Sequence, residues 1–250
     1  MFLDAFTRLL EQHCTPALVR AAEADPAACA PLAEALEASG FPDILRPEAQ
    51  GGAGLPLADF APLAMACGAH LCPLPFPEQT VARWLGVEAA ALPPEARAAL
   101  VSARMAGAIE RLLDFTIAHT TARQQFGRPL SGFQAVQQQL AQLAEEVAAA
   151  RLAAHIGLAG PGFTPARSAA AKVRCNEAAT VSTGIAHQLH GAIGATAEYD
   201  LQLYTRALWR WQTEAGSTAH WAQVLGRHRL TEGGGSVPYI QSHLETGGIA

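Results

Sequence analysis

From Phe133 to Ala154 the apolar residues step alternately by three and four: Phe133, Val136, Leu140, Leu143, Val147, Ala150 and Ala154. That spacing returns to one side of an α-helix every two turns, which is the seam of helices packed nearly parallel in a bundle. A second stretch, Glu95 to Arg123, has Val101, Met105, Ala108, Leu112 and Phe115 on one face. Ile109, Leu113 and Ile117 widen that face, so burial on two sides is expected. Ala and Leu are abundant, and both lose little side-chain freedom in a helix. The expected fold class is therefore all-α.

Punctuation marks the other elements. Ser131 offers an N-cap for the helix carrying the seam, and Gly160-Pro161-Gly162 ends it. Pro165 suits the first turn of a third helix, whose apolar face is Ala178, Val181, Ile185 and Leu189. Further helices are expected over Tyr199–Trp211 and Ser217–Arg229. The first third reads as shorter helices, Leu3–His13, Pro31–Ala38, Asp59–Cys67 and Glu78–Leu85, broken by a turn-rich stretch from Gly40 to Pro56. Pro93-Pro94 marks a boundary. The expected organisation is a helical N-terminal region, 1–92, a C-terminal bundle, 93–232, and a tail, 233–250, as a loose extension or an arm onto a partner. No stretch shows the alternation of a strand-rich block.

Several functions are excluded early. The net charge is −5 and Lys172 is the sole lysine, so no basic block exists for nucleic acid. No run is apolar enough for a membrane span, and Asp4, Arg8 and Glu11 are wrong for a signal peptide. Cys14, Cys29, Cys67, Cys72 and Cys175 are odd in number and form no C-x-x-C pair. They are expected to be small buried residues in a reducing cytoplasm, with no metal site. A di-iron bundle needs Glu-x-x-His, and the chain has none. No Walker A loop or G-x-S-x-G elbow occurs either.

The segment Arg123-Gln124-Gln125-Phe126-Gly127-Arg128-Pro129-Leu130-Ser131-Gly132-Phe133-Gln134 carries the most chemistry. Arg matches phosphate oxygens with a planar fork, Phe offers a ring to a flavin or adenine, and Gly permits close backbone approach. An Arg that merely complements a helix C-terminus, followed by a Gly turn, is the alternative on residue types alone.

The whole string resembles the C-terminal helical domain of acyl-CoA dehydrogenases. So do Gln188-Leu189-His190-Gly191-Ala192-Ile193-Gly194, Glu198-Tyr199 and Leu203-Tyr204-Thr205-Arg206. Ile44-Leu45-Arg46-Pro47-Glu48-Ala49-Gln50-Gly51-Gly52-Ala53-Gly54-Leu55 is similar to the family's N-terminal helical domain. The resemblance implies a C-terminal four-helix bundle preceded by a smaller helical domain. It also implies FAD as cofactor, held mainly by a neighbouring subunit. Carried over, Arg123, Gln125, Phe126, Gly127, Gln134, Gln188, Gly191 and Gly194 become cofactor-binding candidates. Ala192 stands where the family has glycine, and its methyl is expected to crowd the dinucleotide. His190 reads as a helix-end histidine rather than a catalyst.

Two departures shape the expectation. The family's middle β domain, which shelters the flavin ring and one side of the acyl-CoA, has no counterpart: only residues 86–94 separate the two helical regions. The family's base, a carboxylate that takes the proton alpha to the thioester, falls in Thr213-Glu214-Ala215-Gly216-Ser217. A gap-free alignment puts Ala215 on it, and a one-residue slip restores Glu214, the catalytic candidate. An earlier position used by some members falls on Arg97, near Glu95. The expectation is thus a subunit of a flavin-dependent acyl-CoA dehydrogenase with a full-length partner, an acyl-CoA substrate and an electron-transfer acceptor, in a hetero- or homo-oligomer. A catalytically silent structural or regulatory subunit is the alternative, as is a helical acyl-CoA binding module. Trp209, Trp211 and Trp221 are expected in the core.

Overall fold

The computed structural model describes residues 2–245. Among them are eleven α-helices: α1 (Phe2–His13), α2 (Pro16–Ala24), α3 (Ala30–Ser39), α4 (Leu57–Ala69), α5 (Phe76–Leu85), α6 (Pro94–Ala122), α7 (Gln134–Gly157), α8 (Pro165–His190), α9 (Leu201–Thr213), α10 (Thr218–Glu232) and α11 (Ser236–His243). The only strands among the described residues are the two-residue β1 (Gln124–Gln125) and β2 (Arg128–Pro129), paired antiparallel. The fold is all-α, and no β domain lies between α5 and α6. One 3-10 turn, Ala89–Ala91, occupies the connector.

The long helices form as their periodicity requires. α6, α7 and α8 pack mutually, and α10 joins on α8. On α7 the seam residues Leu143, Val147, Ala150 and Ala154 are buried, while Phe133, Val136 and Leu140 at its start are half-buried. α6 exceeds expectation: every residue from Ala98 to Ile109 is buried, because α4 and α9 cover the faces that α7 and α8 leave. Thr164 caps α8 by accepting from the Arg167 N–H, with Pro165 in the first turn. Ser217 caps α10 through the His220 N–H. Ser131 does not cap α7. Residues Leu130–Gly132 instead make a 3-10 turn, and Phe133 takes the cap position without a side-chain bond.

The two regions share one core. Phe6 and Leu10 of α1, Phe60 of α4 and Phe76 of α5 belong to the same buried cluster as Leu100, Met105 and Ile109 of α6 and Trp211 of α9. The α4–α6 crossing is backbone against backbone. A Cβ on Gly68 would lie 1.8 Å from the Arg104 carbonyl oxygen, and one on Gly107 would lie 1.9 Å from that of Met65.

Three elements differ from the expectations. Helix α2 was not expected, although Thr15 caps it and Pro16 starts it. The tail is not loose over Ser236–His243. It is helical because Tyr239 buries its ring and meets His228 Nδ1 at 2.9 Å, while Arg167 Nε donates to the His243 carbonyl at 3.2 Å. Residues 246–250 of the expected tail lie outside the described residues. Trp211 and Trp221 are core residues, but Trp209 is 63% exposed. All five cysteines are free and buried, and no metal-holding cluster exists among the described residues.

Lys172 is fully buried. Its ammonium donates to the Trp211 carbonyl at 2.7 Å, the Gln212 carbonyl at 3.2 Å and Asn176 Oδ1 at 2.8 Å, tying α8 to the last turn of α9. Burial lowers its pKa from 10.5 to about 8. As the sole lysine it gives a single side-chain signal in a protein labelled with carbon-13 lysine. That signal is expected to titrate near pH 8, and a midpoint above 10 would contradict the burial. Between about pH 8 and 10.5 the unfolded chain holds this proton more tightly than the folded one, so raising pH through that window increases this residue's contribution to stability.

Candidate functional site: a groove at the end of α6 and α8

α6 ends because Arg123 turns extended (φ −76, ψ 124). The chain then makes a hairpin with Gln124 opposite Pro129 and Gln125 opposite Arg128. At its tip Phe126 (φ 52) and Gly127 (φ 78) both have positive φ, as the right-handed twist of a two-residue hairpin demands. Glycine or asparagine is usual at such positions, and an aromatic residue there is strained. Phe126 is 93% exposed, its ring meeting the Phe133 ring edge-on with centroids 6.2 Å apart. The Arg128 guanidinium covers the Phe133 ring at 3.9 Å, and Leu130 N donates to the Arg123 carbonyl at 2.9 Å. The hairpin is thus a braced platform with an unburied ring at its tip.

Beside it lies a groove of about 320 Å³, lined by Arg123, Leu130, Gln188, Gly191, Ala192 and Ile193, with His119 and His190 at its base. Arg123 comes from one motif and Gln188 and Gly191 from another, so the fold brings two separate motifs together. Arg123 and Gln188 are exposed, and the Arg123 guanidinium makes no hydrogen bond among the described residues. Gly191 (φ 63, ψ −146) ends α8 in a conformation essentially reserved for glycine, and the space where a Cβ would stand is open. Ala192 does lie on the groove wall. Gln125 and Gln134 are exposed on the adjoining hairpin and at the start of α7, beyond the groove lining. Gly194 is placed differently. It is buried, and a Cβ there would come within 2.9 Å of His190 Cβ and Leu201 Cδ2, so close packing accounts for this glycine.

His190 is 5% exposed, stacks on His119 at 4.3 Å and meets the Ala186 carbonyl through Nδ1 at 2.8 Å. Burial lowers the pKa of both imidazoles, with nearby Arg123 also acting on His119. Both shifts favour the neutral imidazole. A guanidinium without a protein partner, an exposed amide, an open glycine and an exposed ring suit the phosphates and flat rings of a dinucleotide.

Glu214 sits elsewhere, as the residue that ends α9. Its Oε1 is 3.5 Å from Arg104 Nη1, which also holds Glu78 Oε1 at 3.0 Å. The Arg104 guanidinium lies over the Trp211 ring at 4.6 Å. The turn is locked: Ala215 has φ 58, and its carbonyl accepts from Trp221 Nε1 at 2.7 Å. Arg97 is exposed and Glu95 half-buried in the first turn of α6. Arg104 and Arg123 are separated by 19 positions of α6, roughly 28 Å at 1.5 Å per residue. The groove and Glu214 therefore lie toward opposite ends of the bundle. Sequence reasoning missed Arg104 and Glu78, although a lone arginine inside the run Ala98–Ile109 signals a buried charge that needs a partner.

The family model described as the acyl-CoA dehydrogenase C-terminal domain matches residues 89–229, more than half of the chain. The chain belongs to the acyl-CoA dehydrogenase family. Among curated relatives of this acyl-CoA dehydrogenase-type chain, acyl-CoA dehydrogenase IpdE2 of Mycolicibacterium smegmatis is 43% identical over 107 residues, covering 43% of this chain and 34% of that protein. The match thus spans about a third of the relative's length. Two solved structures share the fold along nearly the whole of both chains. A chain of the Tcur3481-Tcur3483 steroid ACAD G363A variant has a TM-score of 0.78 at 20% identity, covering 92% of this chain and 96% of that one. A chain of the ChsE4-ChsE5 complex from Mycobacterium tuberculosis has a TM-score of 0.77 at 16% identity, covering 93% and 97%. The helical fold described here therefore recurs in solved structures.

Proposed function

We propose that this chain is a subunit of a flavin-dependent acyl-CoA dehydrogenase, and that its groove closes over FAD seated mainly on a full-length partner. The observation that carries this reading is the convergence of Arg123, Gln188 and Gly191 on one open groove beside the exposed Phe126. Arg123 would pair with phosphate oxygens, Phe126 would lay its ring on the dinucleotide, and Gln188, Gln125 and Gln134 would hydrogen-bond around it. Gly127 shapes the hairpin tip and Gly191 keeps the groove open, whereas Gly194 serves packing behind it. Bound FAD would accept a hydride from the acyl chain as the alpha proton leaves, and pass electrons to an external acceptor. The roughly 28 Å between Arg123 and Arg104 along α6 supports a multi-chain enzyme. A base must touch the carbon it deprotonates, so the groove and Glu214 would serve two different sites of an assembly. A chain of the ChsE4-ChsE5 complex shares this fold, which fits a chain that works with a partner. Five free cysteines fit the reducing cytoplasm, and among the described residues no helix is long and apolar enough to cross a membrane.

A silent subunit is the second reading. It is favoured at Glu214, whose carboxylate is 41% exposed and already engaged by Arg104 instead of standing in a dry pocket. Co-expression with a full-length family member decides between them. The first reading expects a yellow complex whose acyl-CoA dehydrogenation needs both chains, with Glu214→Gln abolishing turnover and leaving the flavin bound. Full activity in Glu214→Gln places the base on the partner. A colourless complex that gains no flavin from added FAD defeats the cofactor reading.

A further inference from the structure

A second cavity, of about 290 Å³, lies between α2, the Leu71–Pro73 turn, α6 and α9. Val19, Leu71, Leu203 and Ala207 give it apolar walls, Trp211 and Arg104 form part of the lining, and Glu23 and Arg210 also border it. Arg104 is only 9% exposed. Both of its ion pairs leave from Nη1, and among the described residues neither Nε nor Nη2 donates to anything. A guanidinium has five N–H groups, so those on Nε and Nη2 remain to be satisfied by what fills the cavity.

The charges around the cavity balance in number: Glu23, Glu78 and Glu214 stand against Arg104, Arg206 and Arg210, with Glu78 and Glu214 on Arg104 and Glu23 on Arg206 at 3.1 Å. What the pocket lacks is an acceptor rather than a counter-charge. A plain hydrocarbon entering here would displace water from charged N–H groups and return nothing. A carbonyl or hydroxyl oxygen would replace the water's bonds while its carbon skeleton met Leu71, Leu203 and Ala207.

We propose that this cavity receives the acyl group of the thioester, and that Arg104 selects acyl groups bearing an uncharged oxygen, ketone or hydroxyl, over simple alkyl chains. The inference rests on the acyl-CoA reading above, and the link is Glu214, which shares Nη1 of the same arginine. Arg104 is then a specificity-determining residue. A site built to hydrogen-bond an oxygen discriminates strongly against the analogue lacking it.

Calorimetric titration of the complex assembled with the full-length partner, using 4-oxopentanoyl-CoA, pentanoyl-CoA, glutaryl-CoA and free CoA, tests this. The oxo ester is expected to bind at least about tenfold more tightly than pentanoyl-CoA. The preference should vanish in the paired variant Arg104→Gln with Glu78→Gln, which avoids stranding a buried carboxylate. Retention of the preference in that variant, or in Arg104→Lys and the pair alike, removes Arg104 from the role. Equal binding of the oxo and plain esters overturns the selectivity and leaves the acyl-CoA reading standing. A preference for glutaryl-CoA over the oxo ester overturns the charge-balance argument. Binding of none of the esters beyond free CoA defeats the acyl-CoA reading itself.

Discussion

Replacing Arg123 with alanine is expected to weaken FAD binding in the assembled enzyme by about 10- to 100-fold while leaving the chain folded. A hydrogen bond to a charged group contributes about 1.5–3 kcal/mol, and 1.4 kcal/mol is a factor of ten in affinity. The structural side of the expectation is firm because Arg123 is exposed, lies just past the last residue of α6, and its guanidinium has no hydrogen-bonding partner among the described residues. The melting temperature of the chain alone should move by no more than about 1 °C, as for surface changes away from special features. Arg123→Lys should recover only part of the affinity, since an ammonium cannot make the two parallel bonds of a guanidinium. Fluorescence titration of the flavin-stripped complex reads the affinity directly. Wild-type affinity in Arg123→Ala would sink the clamp.

The second large effect concerns stability. Gly107→Ala is expected to cost about 3 kcal/mol or more, the upper end for overpacking a core. The added methyl would stand 1.9 Å from the Met65 carbonyl oxygen, and its further neighbours are the Met65 carbonyl carbon and the Ala69 nitrogen, all backbone atoms that no rotamer change can move aside. α4 and α6 must separate, and the core from Phe6 to Trp211 loosens with them. For a domain of this size that corresponds to a melting temperature lower by about 6–12 °C. Gly226→Ala is the control, because nothing lies within 4 Å of its absent Cβ. It should be neutral or stabilising, by up to about 1 kcal/mol, as helical Ala usually is. A Gly107→Ala protein that melts with the wild type would show that the two helices are not in backbone contact.

The bundle was legible because its signals are local. The three–four spacing of α7, the proline pair at the start of α6 and Pro165 at the start of α8 each act within a few residues. α2 carried the same kind of signal in Thr15-Pro16, but nine residues show little periodicity and escaped notice. What the sequence hid is long-range. The shared core of the two helical regions depends on α4 crossing α6 at glycines, which look like helix weak points until the partner backbone is seen. The groove was half visible: the residue types of its two motifs are plain in the chain, but their meeting depends on α6 and α8 ending at the same side. Gly194 shows the converse, a motif glycine whose closest neighbours are its own helix end and Leu201. Arg104 pairs with residues 26 and 110 positions away, so no local pattern announces it.

The burial of Lys172 has a chemical corollary. Thioesters acylate free amines without any enzyme, and a protein that works beside them is exposed to that damage throughout its life. Here the sole lysine is sealed between α8 and α9 at 0% exposure, and the remaining strong bases are arginines, whose guanidinium stays protonated and is no nucleophile. The described side chains thus offer no primary amine on the surface for aminolysis of an activated acyl group.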